Sequence, residues 1–301
     1  MPRVRTVVVI PAGPRDDVLD TVDSVLTHLG PSRHVVVVDD TRGARPEQIS
    51  SLASTPDVTL LEPRSRGEGV YGSLWVKLAE ALVAVLDVWD FDLLVRLDAD
   101  ALLIGPGLED AALAVLDADR SLGLLGSYRT ASDGSQRSFA PARELLRQDL
   151  HWRNAYGDPR LRRAVVRLRR SARRHGYEDG EHVLGACSLL PQRAIERMRE
   201  SGLLQMGVLA NSAMGDDHLM GLGVRAAGLT IGDFGRPGDP IAVRWKGLPA
   251  APADLLARGV AVTHSVRSYE GATGAFEEDV VMGEEEIRSA FRRARRREAG
   301  S

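Results

Sequence analysis

The stretch LVRLDADALLIGPG, residues 94–107, sets two carboxylates, Asp98 and Asp100, at the end of an apolar run. Like charges at that spacing repel, and a desolvated carboxylate is costly unless a cap, a cation or a ligand pairs with it. Three more chemistry-bearing groups follow the same habit of sitting at the edge of apolar sequence. Asp39 and Asp40 close HVVVVDD, Asp216 and Asp217 open the apolar-periodic GDDHLMGLGV, and His264 ends the run GVAVTH. Each has a plain structural reading as well. Asp98 and Asp100 can cap a turn, and Asp39 and Asp40 before TRG are good turn formers. Asp216 and Asp217 can be first-turn acids favoured by a helix dipole, and His264 a structural histidine.

The elements that must position these groups alternate. TVVVIPA and HVVVVDD are continuous β-branched runs, as expected of strands buried on both faces. Between them DDVLDTVDSVLTHLG carries a helical stripe, Val18, Leu19, Val22, Val25, Leu26 and Leu29, that stops at Gly30. A short helix at PEQISSLAS, a strand at VTLLEP, a helix at YGSLWVKLAEALVAVLDV and a strand at FDLLVRLDAD continue the pattern, with a helix at LEDAALAVLDADRS and a strand at LGLLGSY beyond it. Strict alternation predicts an α/β fold with a mostly parallel sheet, and such sheets bind ligands outside the carboxyl ends of their strands. Asp39, Asp40, Asp98 and Asp100 all fall at such ends.

From Arg143 to Arg174 the chain becomes arginine-dense, with an amphipathic basic helix expected around Leu161, Val165, Val166 and Leu168. Strand-like sequence resumes at HVLGACSLLP, so this reads as an insertion within one domain. The arginines either form a solvated face or engage an anionic acceptor or an acidic membrane surface. Trp152 and Tyr156 beside them either stack on a sugar or join the helix packing. A late strand is expected at GVAVTHSVRS. The end, residues 271–301, reads as a charged helix that frays into a tail.

Composition narrows the class. The 301 residues are 44% hydrophobic and 27% charged with net charge −3, so no global field points to nucleic acid. The single cysteine, Cys187, excludes an internal disulfide and cysteine-rich zinc sites and reads as a small buried residue. The apolar run near the N-terminus is too short for a secretory signal, and no stretch has the length of a membrane span, so the expectation is a cytoplasmic protein, with peripheral membrane contact left open. The Gly-rich turn of a dinucleotide site and the Gly-Lys-Ser/Thr of a P-loop are both absent. LDADALL is similar to the first motif of haloacid dehalogenase phosphatases, but Leu102 and the position far from the N-terminus depart from that pattern.

Four elements in order, VVVIPA with VVVVDD, LDAD, GACSLLP, and GDDHLMG with VTHSV, resemble a glycosyltransferase of the GT-A (Rossmann-like) fold, closest to family 2. The resemblance covers most of the chain, residues 6–267. It implies a catalytic domain over 1–270, with a donor half at 1–128 and an acceptor half at 129–270. It implies transfer of a sugar from a nucleoside diphosphate sugar to an acceptor hydroxyl, with Mn²⁺ or Mg²⁺ stabilising the departing diphosphate. On this resemblance Asp100 holds the metal, Asp98 touches the ribose or the metal through water, and His264 is a third ligand. Asp39 accepts a hydrogen bond from the base, most plausibly uracil, with Asp40 beside it. Pro11 and Ala12 line the base or ribose through their backbone, Arg66 reaches the base or phosphates, and Gly185 marks the loop before the acceptor side. Asp217 is the general base of an inverting reaction, with Asp216 standing where the family often has glutamate. A nucleotidyltransferase forming the sugar nucleotide, and a non-catalytic protein of the same fold, are the alternatives. The acceptor is unnamed by the sequence.

Overall fold

The computed structural model describes residues 1–14, 16–65, 71–153, 158–272 and 279–298. The first half alternates as expected except for one unanticipated short strand: β1 Arg3–Ala12, α1 Val18–His28, β2 Arg33–Asp39, α2 Pro46–Ala53, β3 Val58–Leu61, α3 Gly72–Val88, β4 Asp90–Leu97, then directly after it the unanticipated β5 Ala101–Leu103, α4 Leu108–Ala118 and β6 Leu122–Gly126. The second half holds α5 Ala140–Leu150, α6 Pro159–Arg174, β7 Cys187–Pro191, α7 Gln192–Glu200, α8 Asp216–Ala226, β8 Thr230–Asp233, β9 Ile241–Val243, α9 Pro252–Ala257, β10 Val262–His264, β11 Ser268–Ala272, β12 Asp279–Gly283 and α10 Glu284–Glu298.

Seven strands form the central sheet in the order β3-β2-β1-β4-β7-β6-β8. Strands β1 to β4 are mutually parallel, β7 pairs antiparallel with β4 and β6, and β6 pairs parallel with β8. The expected mostly parallel α/β sheet is therefore present, with β7 as its one reversed strand. Val7, Val8, Val9 and Ile10 of β1 are wholly buried because helices cover both faces. Each such side chain contributes roughly 1.5–3 kcal/mol relative to exposure. One apolar cluster joins α3, α6, α7 and α8 to one face, and another joins α1 and α4 to the other. The strand order reverses between β1 and β4, and a crevice at the carboxyl ends of those two strands is the usual ligand position of an open α/β sheet.

A smaller sheet, β5-β10-β9, stands beyond the end of β4. It shortens the expected late strand: GVAVTHSVRS is extended only over Val262–His264, and Ser268 begins a separate hairpin with β12. The arginine-dense insertion is two helices, α5 and α6. Asp158 caps α6 by accepting from the N–H groups of Arg160 and Leu161, with Pro159 in the first turn. Tyr156 lies outside the described residues, and Trp152 is exposed.

The charged C-terminal helix does not fray as a tail. Ile287 and Phe291 of α10 are buried in a third cluster with Leu102, Ile104 and Leu255. Arg288 donates to Asp20 of α1 at 3.2 Å, and Arg295 donates to the same carboxylate. The sequence expectation counted charges on α10 but not the acid waiting for them on α1. Among the described residues, no helix is long and apolar enough to cross a membrane.

Candidate active site

Strand β4 ends at Leu97, and the Asp98 carbonyl accepts from the N–H of Ala101, which closes a tight turn around Asp98–Ala99–Asp100. The turn is braced at its middle residue: Thr21 Oγ1 and Arg288 both donate to the Ala99 carbonyl. Strand β10 then pairs antiparallel with β5, setting His264 opposite Ala101, the residue after Asp100. Residues more than 160 apart in sequence thus meet. His264 Nε2 lies 3.2 Å from Asp100 Oδ1 and 3.7 Å from Asp98 Oδ2. One ligand atom from each of Asp98, Asp100 and His264 falls within 4.8 Å of the others.

The donor set suits a hard divalent cation. His264 Nδ1 sits 2.6 Å from the Arg244 carbonyl, which can only accept, so Nδ1 carries a proton and Nε2 faces the carboxylates. Protein donors stand against the acids. Ser265 Oγ and Arg267 Nε donate to Asp100 Oδ2 at 2.7 and 2.8 Å, and Arg267 also donates to Asp16 after β1. Burial raises the Asp100 pKa, but the His264, Ser265 and Arg267 contacts outweigh it and hold Asp100 well below the usual carboxylate range. Burial likewise lowers the His264 pKa, and its hydrogen bond to Asp100 more than reverses this.

Arg96, on β4 and buried, ties this turn to the second acidic group. Its Nη1 lies 2.7 Å from Asp98 and its Nη2 lies 2.7 Å from Asp216, the first residue of α8. Asp217 points away from that pair. Its Oδ1 accepts from the His218 N–H at 2.8 Å, and its Oδ2 lies 3.9 Å from His182 Nε2. Gly185 lets α8 come this close, since a Cβ there would sit 3.2 Å from that of Asp217. Burial pushes the Asp216 pKa up to about 6 despite Arg96, helped by repulsion from Asp217 and Asp98. Burial also raises Asp217, but His218 and His182 win and hold it low, as an ionised carboxylate at neutral pH.

His182, Asp217 and His218 also cluster as metal ligands would, yet both His182 nitrogens and Nδ1 of His218 already have partners. His182 Nδ1 donates to the Gly180 carbonyl at 2.8 Å, and its Nε2 accepts from the buried Arg137 at 3.0 Å. His218 Nδ1 accepts from the Gly215 N–H at 3.1 Å. His182 approaches Asp217 only to 3.9 Å with its nitrogens turned to other partners, whereas His264 Nε2 faces both carboxylates of its group.

At the end of β2, Asp39 and Asp40 line a cavity of about 370 Å³ with Arg42, Gly43, Glu62, Pro63 and Ser65. Asp39 Oδ1 accepts from the Thr41 N–H, the expected turn, and Asp40 pairs with the buried ammonium of Lys77 at 2.6 Å. Pro11 and Ala12 are not in that lining: Ala12 is buried and its carbonyl accepts from the Asp40 N–H. Arg66 lies outside the described residues. Sequence reasoning missed Arg96, Lys77, Arg137, His182 and Arg267. For Arg96 and Lys77 a signal existed, a lone cation inside LLVRL and WVKLA, since a charge on a buried face demands a partner. For the others no local pattern marked them.

No protein-family model matches the chain, and no curated protein matches its sequence.

Proposed function

We propose that the chain is a metal-dependent glycosyltransferase of the GT-A type that uses a nucleoside diphosphate sugar, with uridine the favoured base. The observation that carries this reading is the convergence of Asp98, Asp100 and His264 at the end of β4, joined through Arg96 to the acids that open α8. In this reading Asp100 and His264 hold Mn²⁺ or Mg²⁺ directly, with Asp98 beside them. When bound, the ion offsets the negative charge that builds on the departing diphosphate. The protein groups do the rest. The cavity at Asp39 and Asp40 receives the base and ribose, at the strand end where an open sheet presents its ligand. Arg267, half-exposed and held by Asp100 and Asp16, is the cation placed nearest to meet a phosphate.

Asp217 takes the proton of the acceptor hydroxyl as it attacks the anomeric carbon, with inversion. It is the better base of the two acids because Asp216 is committed to Arg96. His182, pinned by Gly180 and Arg137, keeps one side of Asp217 polar without protonating it.

Thermal unfolding with uridine, guanosine, adenosine and cytidine diphosphates, each with and without Mn²⁺, tests the reading. UDP is expected to raise the midpoint and Mn²⁺ to enlarge the rise. At 100 times the dissociation constant a ligand adds about 2.7 kcal/mol. No shift with any of the four nucleotides overturns the donor assignment.

A further inference from the structure

Helix α6 has eight arginines in its 16 residues and no acid. Its apolar stripe, Leu161, Val165, Leu168 and Ala172, is buried. Arg169 and Arg173, on the flank, pair with Asp179. The remaining face is different. At 3.6 residues per turn Arg160, Arg163, Arg167, Arg170 and Arg174 fall within an arc of about 80°, opposite the buried stripe. All five are exposed, and among the described residues none makes an ion pair.

Five guanidinium groups on one arc repel one another, and a solvated face needs no such segregation. On most surface helices acids at three- or four-residue spacing relieve the repulsion. Here the sequence supplies none, in a chain whose net charge is −3. The face therefore cannot be explained by overall basicity. Its attraction is local, since screening confines it to about 8 Å at physiological salt.

We propose that this face of α6 docks on an anionic lipid surface. Shape and flanking residues choose the occupant. The arc is straight over about 24 Å, the length of a 16-residue helix, and presents a line of charge to a plane. Val166, one-third exposed, lies beside the arginines. Trp152 is 57% exposed, with Arg153 over its ring at 5.5 Å. It follows the end of α5, whose Leu150 carbonyl accepts from Arg162 of α6, so it stands at the start of the arginine face. Tryptophan and arginine stems suit the headgroup boundary, where one end of a side chain is apolar and the other wet. A nucleic-acid groove would be served better by a run of several stacking aromatics or by Asn and Gln among the arginines, and the five positions of the arc carry arginine alone.

The placement also gives the contact a consequence. Ser171 of α6 donates to the carbonyl of Ala226, the last residue of α8, and Asp158 at the other end accepts from Asn211, just before α8. The two helices lie side by side and run the same way. A membrane against α6 is thus one helix diameter from α8, with Asp217 at the matching end.

Vesicle co-sedimentation at near-physiological salt tests the proposal, using phosphatidylcholine alone and phosphatidylcholine with a third of phosphatidylglycerol. The whole chain is expected to bind the second and not the first. Arg163, Arg167 and Arg170 all changed to glutamine should weaken binding by roughly 100-fold, since each basic group near such a surface is worth about a factor of five. The same three positions changed to glutamate should abolish it. A charge-matched control changes the exposed Arg293, Arg296 and Arg297 of α10 to glutamine and should bind normally. Circular dichroism checks that each variant is folded, and the glutamine set is the arbiter should the glutamate set fail to fold. Three outcomes overturn the proposal: no binding of the parent to anionic vesicles, equal loss in the control, or binding to an RNA duplex under conditions where the vesicles are not bound. None depends on the glycosyltransferase reading, because no nucleotide is present.

Discussion

Asp100, His264 and Asp217 fail in different ways if their proposed roles are right. Asp100→Ala removes a charged ligand, so stabilisation by UDP should lose its response to Mn²⁺ in a thermal-shift titration. His264→Ala removes a neutral ligand, so that response should weaken without vanishing; an unchanged response would make the histidine structural. Asp217→Asn keeps size and hydrogen bonding but takes no proton. Nucleotide and metal binding should survive while transfer to the acceptor falls by roughly 10²–10⁴, the usual worth of a general base. Near-normal turnover would place the base elsewhere. His182 supplies a pH test that needs no substrate. Burial pushes its pKa down from 6.5 to about 4. As pH falls through that window the unfolded chain takes up a proton that the folded one refuses, so stability is lost, up to roughly 3 kcal/mol. Asp216 has the opposite sign: its pKa near 6 lets the folded state take a proton first, so acidification favours folding there and masks part of the histidine's effect. His182→Gln removes only the first contribution. Urea unfolding at pH 7 and pH 4.5 should show the variant gaining on the parent in acid, and parallel profiles would mean that His182 does not titrate there.

At the scale of elements, close backbone approach sets which helices can meet. Gly72 opens α3 against the short 3₁₀ turn Gly207–Asn211. A Cβ there would lie 2.1 Å from the Leu209 carbonyl oxygen and 3.0 Å from Ser212 Cβ. Neither atom can yield cheaply: Gly72 N–H itself donates to the Ser212 carbonyl, and Ser212 Oγ donates to the buried Asp149. Gly72→Ala should therefore cost roughly 1–3 kcal/mol in denaturant unfolding, as overpacking does. Gly207→Ala in the same turn meets nothing within 4 Å. It should stay within about 0.5 kcal/mol of the parent, the range of unconstrained surface changes. Equal effects would show that α3 and the turn are not in contact. The apposition matters for function because this turn leads straight into Gly215 and the acids of α8.

For the whole molecule, the decisive link is between the two ends of the chain. Asp20 on α1 is buried and would be an isolated charge without Arg288 and Arg295 from α10. Arg288 also reaches the Ala99 carbonyl, so the last helix braces the turn that carries Asp98 and Asp100. Arg288→Ala leaves the buried carboxylate with Arg295 alone and the Ala99 carbonyl with one donor fewer, and losing hydrogen bonds of this charged kind costs about 1.5–3 kcal/mol each. A domain of this kind has only about 5–15 kcal/mol in total, so the urea midpoint should fall sharply while unfolding stays a single transition. A loss below about 1 kcal/mol would mean that α10 is dispensable to the body of the protein.

The sequence alone determined the layers. Continuous β-branched runs read as strands covered on both faces, and the stripe from Val18 to Leu29 as a helix lying on them, so the order of strands and helices through β6 was readable locally except for the three-residue β5, which is too short to carry a pattern. It also marked Asp39, Asp98 and Asp100, because acids that end apolar strands fall at the mouth of a parallel sheet. What it left undecided is long-range. Whether His264 meets Asp100 depends on the pairing of β10 with β5, and whether Asp216 or Asp217 is free depends on which one Arg96 holds. Ala12 looked like a backbone donor or acceptor for a ligand, until the fold gave its carbonyl to Asp40. The basic C-terminal helix looked like a tail because charge near an end normally means solvent, and only the fold brings Asp20 to it. Local pattern reports which face of an element is buried; the partner that satisfies a buried charge comes from any part of the chain, and tertiary structure alone selects it.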